Sequence, residues 1–199
     1  RWGEREGLPV IPAAQTRQAF LDQLLVVKEQ FGAGSKSIGI GLDAEAAGKH
    51  ARTLSAPIFQ PMVEGPEISI DAWMNAQGGV HGLVLRRRDR VVNGESQIST
   101  TFRDRKLERQ AEQVLARIGL SGPAVMQAIV TEAGLAVIEV NARFGGASTT
   151  SIAAGLDTLY WSLLEGARPG DAVPAFHRKP GEVKLVRAPQ DIIIDDLDF

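Results

Sequence analysis

The chain has 199 residues, is 44% hydrophobic and 23% charged, and carries a formal net charge of −2. This is ordinary globular material, with no bulk electrostatic case for nucleic acid or a membrane as partner. It has no cysteine and three scattered histidines (His50, His81, His177), which excludes disulfides, thiolate nucleophiles and zinc–thiolate sites and argues against Ser-His-Asp triads. No run of about 20 apolar residues and no charged-then-apolar leader is present, so a soluble, cytoplasmic protein is expected. The opening Arg1-Trp2-Gly3 lacks an initiating methionine and suggests a processed form, an internal domain or an engineered piece.

Residues 1–12 close on Leu8-Pro9-Val10-Ile11-Pro12, extended because residues before proline avoid the helical region. Thr16 is a cap for a short helix over 17–24. Leu24 to Glu29 reads as a buried strand and Ile38 to Leu42 as a second, joined by Gly32-Ala33-Gly34-Ser35-Lys36-Ser37. This loop is not a Walker motif, because Ser35 and Gln30 stand where glycines are required. Nor is it a dinucleotide fingerprint, since Ser37 follows three residues after Gly34 and a strand follows the loop. What remains is a hairpin flap whose backbone amides can cradle anionic oxygens, with Lys28 placed to reach a polyphosphate. Asp43 then caps a helix running to about Arg52.

Pro57 to Val63 is a strand running into a hinge, Gln60-Pro61-Met62-Val63-Glu64-Gly65-Pro66-Glu67. A purine needs backbone donors and acceptors at its edge and apolar groups over its ring, which Met62 and Val63 can supply. Glu67 can accept from ribose hydroxyls; a plain β-turn is the competing reading. Glu67 to Asn75 alternates as a half-buried strand, and Asn75 to Gly79 turns the chain into Val80 to Arg88. The run Arg86, Arg87, Arg88 and Arg90 reads first as a solvated strand face. A polar strand covers Gln97 to Phe102. Asp104 caps an amphipathic helix to Ile118, with Leu107, Ala111, Val114, Leu115 and Ile118 on one side and Gly119 as its stop.

Residues 126–141 read as two apolar strands joined by a three-residue loop, Glu132-Ala133-Gly134. If Thr131 faces Leu135, Gln127 lies opposite Glu139, and Asn141 returns to the same face two residues on. Three oxygen-bearing side chains then converge, with Arg143 one step further. Hard divalent cations want such ligands and usually keep a phosphate, so a metal–nucleotide site is expected. Helices near 148–154 and 157–167, a polar loop and a strand from Glu182 to Arg187 complete the chain. Tight turns between neighbouring strands argue for antiparallel α+β lobes.

Three separated segments, in order, resemble the ATP-grasp superfamily, most closely the ATP-binding domains of carbamoyl-phosphate synthase large-chain type. Lys28 with the loop Gly32–Gly39 resembles its lysine strand and phosphate-covering flap. Gln60 to Glu67 resembles its adenine hinge and ribose carboxylate. Gln127 with Glu139-Val140-Asn141-Ala142-Arg143 resembles its magnesium-binding signature. Two departures are visible, Gln60 for an acidic residue and Ala142 for a proline.

The resemblance implies an α+β fold of two lobes gripping a nucleotide between antiparallel sheets. It implies a lead-in over 1–16 from a lobe lying upstream, a flap lobe over 17–65 and a larger lobe over 66–199. Lys28, Gly32, Gly34, Ser35, Gln60, Met62 and Glu67 would bind ATP, and Gln127, Glu139 and Asn141 would hold Mg²⁺ or Mn²⁺. Arg143 would neutralise the transferring phosphoryl group, while one of Arg86, Arg88 and Arg90, best Arg88, would receive a substrate carboxylate. The implied activity is ligation of a carboxylate, through an acyl phosphate, to an amine or similar nucleophile. Implied partners are small-molecule substrates and further lobes of the same protein, with a homo-oligomer left open, and no nucleic acid or membrane. The alternative is a non-catalytic nucleotide-binding regulatory or scaffold module.

Overall fold

The computed structural model describes residues 2–20, 22–31, 37–169 and 171–188. After a one-turn helix, α1 (Trp2–Arg5), these residues build two antiparallel sheets with helices packed on them, an α+β arrangement. The smaller sheet has the order β2-β1-β3, from β1 (Leu25–Glu29), β2 (Gly39–Leu42) and β3 (Pro57–Pro61). Helix α2 (Ala44–Ala51) starts where the Asp43 carboxylate accepts from the Ala46 N–H at 2.8 Å. It covers one face of this sheet, where Leu25, Val27, Ala47 and Phe59 are buried together. Strand alternation therefore turns Val26 and Lys28 to the opposite face.

Instead of the expected helix over 17–24, a short 3-10 turn spans Arg17–Phe20. The backbone at Ala14 is already paired with Phe59, and the chain must turn from there to the start of β1 at Leu25. The preceding segment joins the two sheets. Val137 N–H donates to the Pro9 carbonyl at 2.7 Å and Ile11 N–H to the Val137 carbonyl at 3.0 Å, while Ala14 and Phe59 exchange bonds of 2.9 and 2.8 Å. An otherwise open sheet edge is thereby covered.

The larger sheet has the order β8-β7-β4-β5-β6-β9. Its strands are β4 (Glu67–Met74), β5 (Val80–Val92), β6 (Glu95–Phe102), β7 (Gly122–Thr131), β8 (Gly134–Asn141) and β9 (Lys184–Val186). Ile68, Ile70, Ala72 and Met74 of β4 share one face with Leu85, Met126 and Val137, packed against Leu107, Ala111, Val114 and Leu115 of α3 (Arg105–Ile118). Full burial of a large aliphatic side chain contributes about 1.5–3 kcal/mol, so this face anchors the domain. The opposite face is divided. Trp73 and Val84 pack with Ala154, Leu156 and Trp161, beside α4 (Ser148–Ala153) and α5 (Thr158–Ala167). The remainder of that face is polar.

Strands β5 and β6 run further than expected and meet at Asn93 and Gly94, whose φ values are 51° and 80°. Both residues are left-handed, as a two-residue hairpin turn requires, and Asn-Gly between alternating strands is its strongest sequence signal. The extension carries Glu95 and Ser96 toward the polar face. Gly65 closes the hinge at φ 144°, where an added Cβ would lie 2.2 Å from the Val130 carbonyl oxygen. Gly65→Ala is expected to cost about 1–3 kcal/mol of stability, read as a lower urea midpoint.

Candidate functional site

One irregularity of β8 creates the centre of the polar face. Near the turn Thr131 faces Gly134 and Ala128 faces Val137, so the connection is a two-residue turn rather than the expected three-residue loop, and Thr131 does not face Leu135. Continued without interruption, this register would set Glu139 opposite Met126, pointing into the core under α3. A β-bulge at Ile138 adds one residue, and Gln127 pairs with Glu139 after all. Val137 and Val140 both keep to the α3 face, while Glu139 and Asn141 share the other. The Asn141 side-chain amide donates to Glu139 Oε1 at 2.8 Å.

The pairings Glu139–Gln127, Gln127–Ser69 and Ser69–Arg86 form a polar row across β8, β7, β4 and β5. All four residues line a cavity of about 380 Å³, together with Arg88, Asn141, Arg143, the β5–β6 turn and Arg187. The expected solvated face at Arg86 is corrected here. Its side chain is only 3% exposed, because strand alternation places it over Asp71. Arg86 Nε donates to Asp71 Oδ2 at 2.5 Å and Nη2 to Oδ1 at 3.4 Å, and Nη1 reaches Ser99 Oγ at 3.3 Å. Ser148 and Ser151 of α4 donate to the same carboxylate at 2.8 and 2.5 Å. Ser148 Oγ in turn accepts from the Gly145 N–H at 2.8 Å, which ties the loop after Arg143 to the sheet.

Arg88 is heavily committed. Nη1 donates to Glu67 Oε1, Nη2 to the Gly94 carbonyl at 2.8 Å and Nε to Ser96 Oγ at 3.2 Å. It clamps the hinge exit to the β5–β6 turn. Arg90 is exposed. Arg143 is the least committed cation of the cavity, since it is exposed and its Nη1 donates only to the Phe144 carbonyl at 3.0 Å.

Lys28 reaches this region from the other sheet. Burial holds its ammonium below the ordinary value of 10.5, and the Glu139 carboxylate opposes that shift. In the hinge, the Gln60 side chain is buried and donates to the Ile11 carbonyl at 3.2 Å. The Met62 N–H, expected to face a purine edge, instead donates to the Leu24 carbonyl at 2.7 Å. Gly32, Gly34 and Ser35 lie outside the described residues.

Among the described residues no three His, Cys, Asp or Glu side chains gather into a metal site. The set Gln127, Glu139 and Asn141 offers one carboxylate and two amide oxygens, which suits a cation that brings phosphate oxygens with it. Sequence reading passed over Asp71, Glu95, Ser148 and Arg187. Asp71 had an available signal, a carboxylate between the apolar Ile70 and Ala72, and Glu95 had one in the Asn93-Gly94 turn just before it. Arg187 and Ser148 are brought in by tertiary packing alone. Among the described residues no helix is long and apolar enough to cross a membrane.

Comparisons with known proteins cover this sheet and most of the rest of the chain. Phosphoribosylamine–glycine ligase of Streptomyces coelicolor is 27% identical over 165 residues, covering 73% of this chain and 40% of the ligase. The biotin carboxylase domain of Hydrogenobacter thermophilus 2-oxoglutarate carboxylase, solved with MgADP and bicarbonate, superposes with a TM-score of 0.75 at 16% identity. That match covers 91% of this chain and 47% of the carboxylase chain. The L-amino acid ligase of Bacillus licheniformis matches at a TM-score of 0.59 and 20% identity, covering 84% of this chain and 45% of the ligase. The chain thus spans less than half the length of each of these relatives, and their shared architecture is the ATP-grasp fold. A family described as ATP-grasp in the biosynthetic pathway with Ter operon matches residues 54–187, and the chain belongs to this ATP-grasp family.

Proposed function

We propose that this chain is the nucleotide- and metal-gripping part of an ATP-dependent ligase. The ligase activates a carboxylate as an acyl phosphate and passes the acyl group to an amine or similar nucleophile. The observation that carries the reading is the bulge-built row in which Glu139 stands beside Gln127 and Asn141. A lone surface carboxylate would need none of these neighbours.

Within this reading the flap lobe over 17–65 and the larger lobe over 66–199 hold the nucleotide between them. Lys28 and the flap bind phosphates, and the hinge around Met62 meets the purine. Glu67, with Oε1 taken by Arg88, keeps Oε2 for ribose hydroxyls. Glu139, Asn141 and Gln127 would hold Mg²⁺ or Mn²⁺, which when bound neutralises phosphate charge. A substrate carboxylate oxygen attacks the γ-phosphorus and ADP leaves. An amine nitrogen then attacks the acyl carbon and phosphate leaves. Arg143 offers its unspent N–H donors to the charge that builds on these oxygens. No protein nucleophile is required, which suits a chain without cysteine.

Lys28 provides a test with a defined sign. Its folded pKa lies below the ordinary 10.5, so the fold penalises the protonated form and stability rises with pH between the folded value and 10.5. Lys28→Met removes that slope and raises the melting temperature of the nucleotide-free protein at neutral pH. The same variant loses the roughly 2.7 kcal/mol that Mg-ATP at 100 times Kd adds to the unsubstituted protein. Thermal denaturation with and without Mg-ATP reads both effects. Turnover is tested by phosphate release from the full-length protein across candidate carboxylates and amines. Saturable Mg-ATP binding with no release favours the non-catalytic module.

A further inference from the structure

Arg143, the least committed cation of the cavity, takes its direction from a single contact, the Nη1 bond of 3.0 Å to the Phe144 carbonyl. That carbonyl and the Gly145 N–H belong to one peptide unit. The unit is planar, so holding either group orients the other. The Gly145 N–H donates to Ser148 Oγ at 2.8 Å, and the Ser148 hydroxyl donates to Asp71 Oδ1 at 2.8 Å. Arg86 and Ser151 hold the same carboxylate from its other oxygen. A continuous line of hydrogen bonds therefore runs from the buried Asp71–Arg86 pair to the guanidinium in the cavity. Packing confines the same peptide, because a Cβ added at Gly145 would lie 3.0 Å from Val125 Cγ2 and 3.1 Å from Ser148 Oγ.

We propose that Ser148, anchored by Asp71, is a positioning residue for Arg143: it fixes the Phe144–Gly145 peptide, and that peptide directs the guanidinium into the cavity. A buried ion pair is weak evidence for stability, since apolar residues of similar volume often serve as well. What an apolar pair cannot supply is the acceptor that orients the Ser148 hydroxyl. An arginine held in place before substrates bind needs no reorganisation as charge builds on the transferring group, which is where such a contact gains its value. The inference rests on the ligase reading and names what aligns its phosphoryl-facing arginine.

The test is a double-mutant cycle on phosphate release by the full-length protein. It uses Mg-ATP with whichever carboxylate and amine release phosphate fastest across the candidates. Ser148→Ala is expected to lower kcat by about tenfold or more, with KM for ATP unchanged. In an Arg143→Ala background the same substitution should change kcat by less than about twofold, because the group it positions is gone. Ser151→Ala is the matched control, since Ser151 bonds the same carboxylate and not the loop, and it should leave kcat unaltered. Gly145→Ala displaces the peptide while keeping Ser148 and Asp71, and should reproduce the Ser148→Ala pattern even if that variant does not fold. Equal kcat losses with and without Arg143, or a Ser151→Ala loss as large as that of Ser148→Ala, overturn the inference and leave the ligase reading standing. No release with any pair, or full turnover by Arg143→Ala, removes the reading and the inference together.

Discussion

Asp71→Asn is expected to destabilise the protein by about 3–5 kcal/mol, the cost of leaving a buried guanidinium without its counter-charge. For a chain of this size that corresponds to a fall in melting temperature of roughly 6–20 °C. The Asp71 and Arg86 side chains are each 3% exposed, and the carboxylate also accepts from Ser148 and Ser151. One amide oxygen cannot replace two carboxylate oxygens serving three donor groups. If the loss arises from the uncompensated charge, the double variant Asp71→Leu/Arg86→Leu should be more stable than Asp71→Asn, because it leaves no buried charge unpaired, only the neutral hydroxyls of Ser99, Ser148 and Ser151 each short of one partner. Calorimetry on the three proteins decides it. A double variant no more stable than the single one would mean that this face needs the ion pair for its packing.

Glu139→Ala and Arg143→Ala are expected to reduce phosphate release by about 10²–10³-fold, or roughly 2.7–4 kcal/mol of transition-state stabilisation. Both side chains are exposed, so melting temperature without nucleotide should change little. The two substitutions should differ in binding. Glu139→Ala removes the only carboxylate of the metal set and weakens Mg-ATP itself, whereas Arg143→Ala should act mainly on turnover. Near-normal turnover by Glu139→Ala would remove the metal assignment.

The architecture was legible in the sequence wherever local chemistry and tertiary packing agree. The α3 cap at Asp104 and stop at Gly119 and the antiparallel pairing of neighbours follow from local pattern, whereas β4, expected to be half-buried, is buried on both faces from Ile68 to Met74 because helices cover each side of the sheet there. Asn93-Gly94 carried an equally local signal, and reading the strands around it as shorter hid the turn that rims the cavity. The β7–β8 hairpin is more instructive. Gln127 does pair with Glu139, but from a different turn register, because the bulge at Ile138 compensates for it. Glycine is at neither bulge position, and nothing in Val137-Ile138-Glu139 announces an extra residue.

The arginine run shows the complementary limit. Charge patterning assigns Arg86, Arg87, Arg88 and Arg90 to solvent, yet alternation divides them. Arg87 stacks over Phe102 at 5.3 Å and pairs with Glu182 at 2.7 Å, while Arg86 and Arg88 turn to the cavity. Their environment is set by Asp71 and Glu67 on the adjacent strand, and no window of sequence contains both partners. Arg187 and Glu95 are likewise distant in the chain and meet through the pairing of β6 with β9.

Diffraction from crystals of the full-length protein grown with Mn²⁺ and a non-hydrolysable ATP analogue, recorded for anomalous scattering, tests the central claim most directly. The account predicts a manganese peak at coordination distance from the Glu139 carboxylate and the Asn141 side-chain oxygen, bridging to the phosphates, with Lys28 on the same phosphates. A metal bound elsewhere, or a nucleotide seated away from the bulged strand, would contradict it.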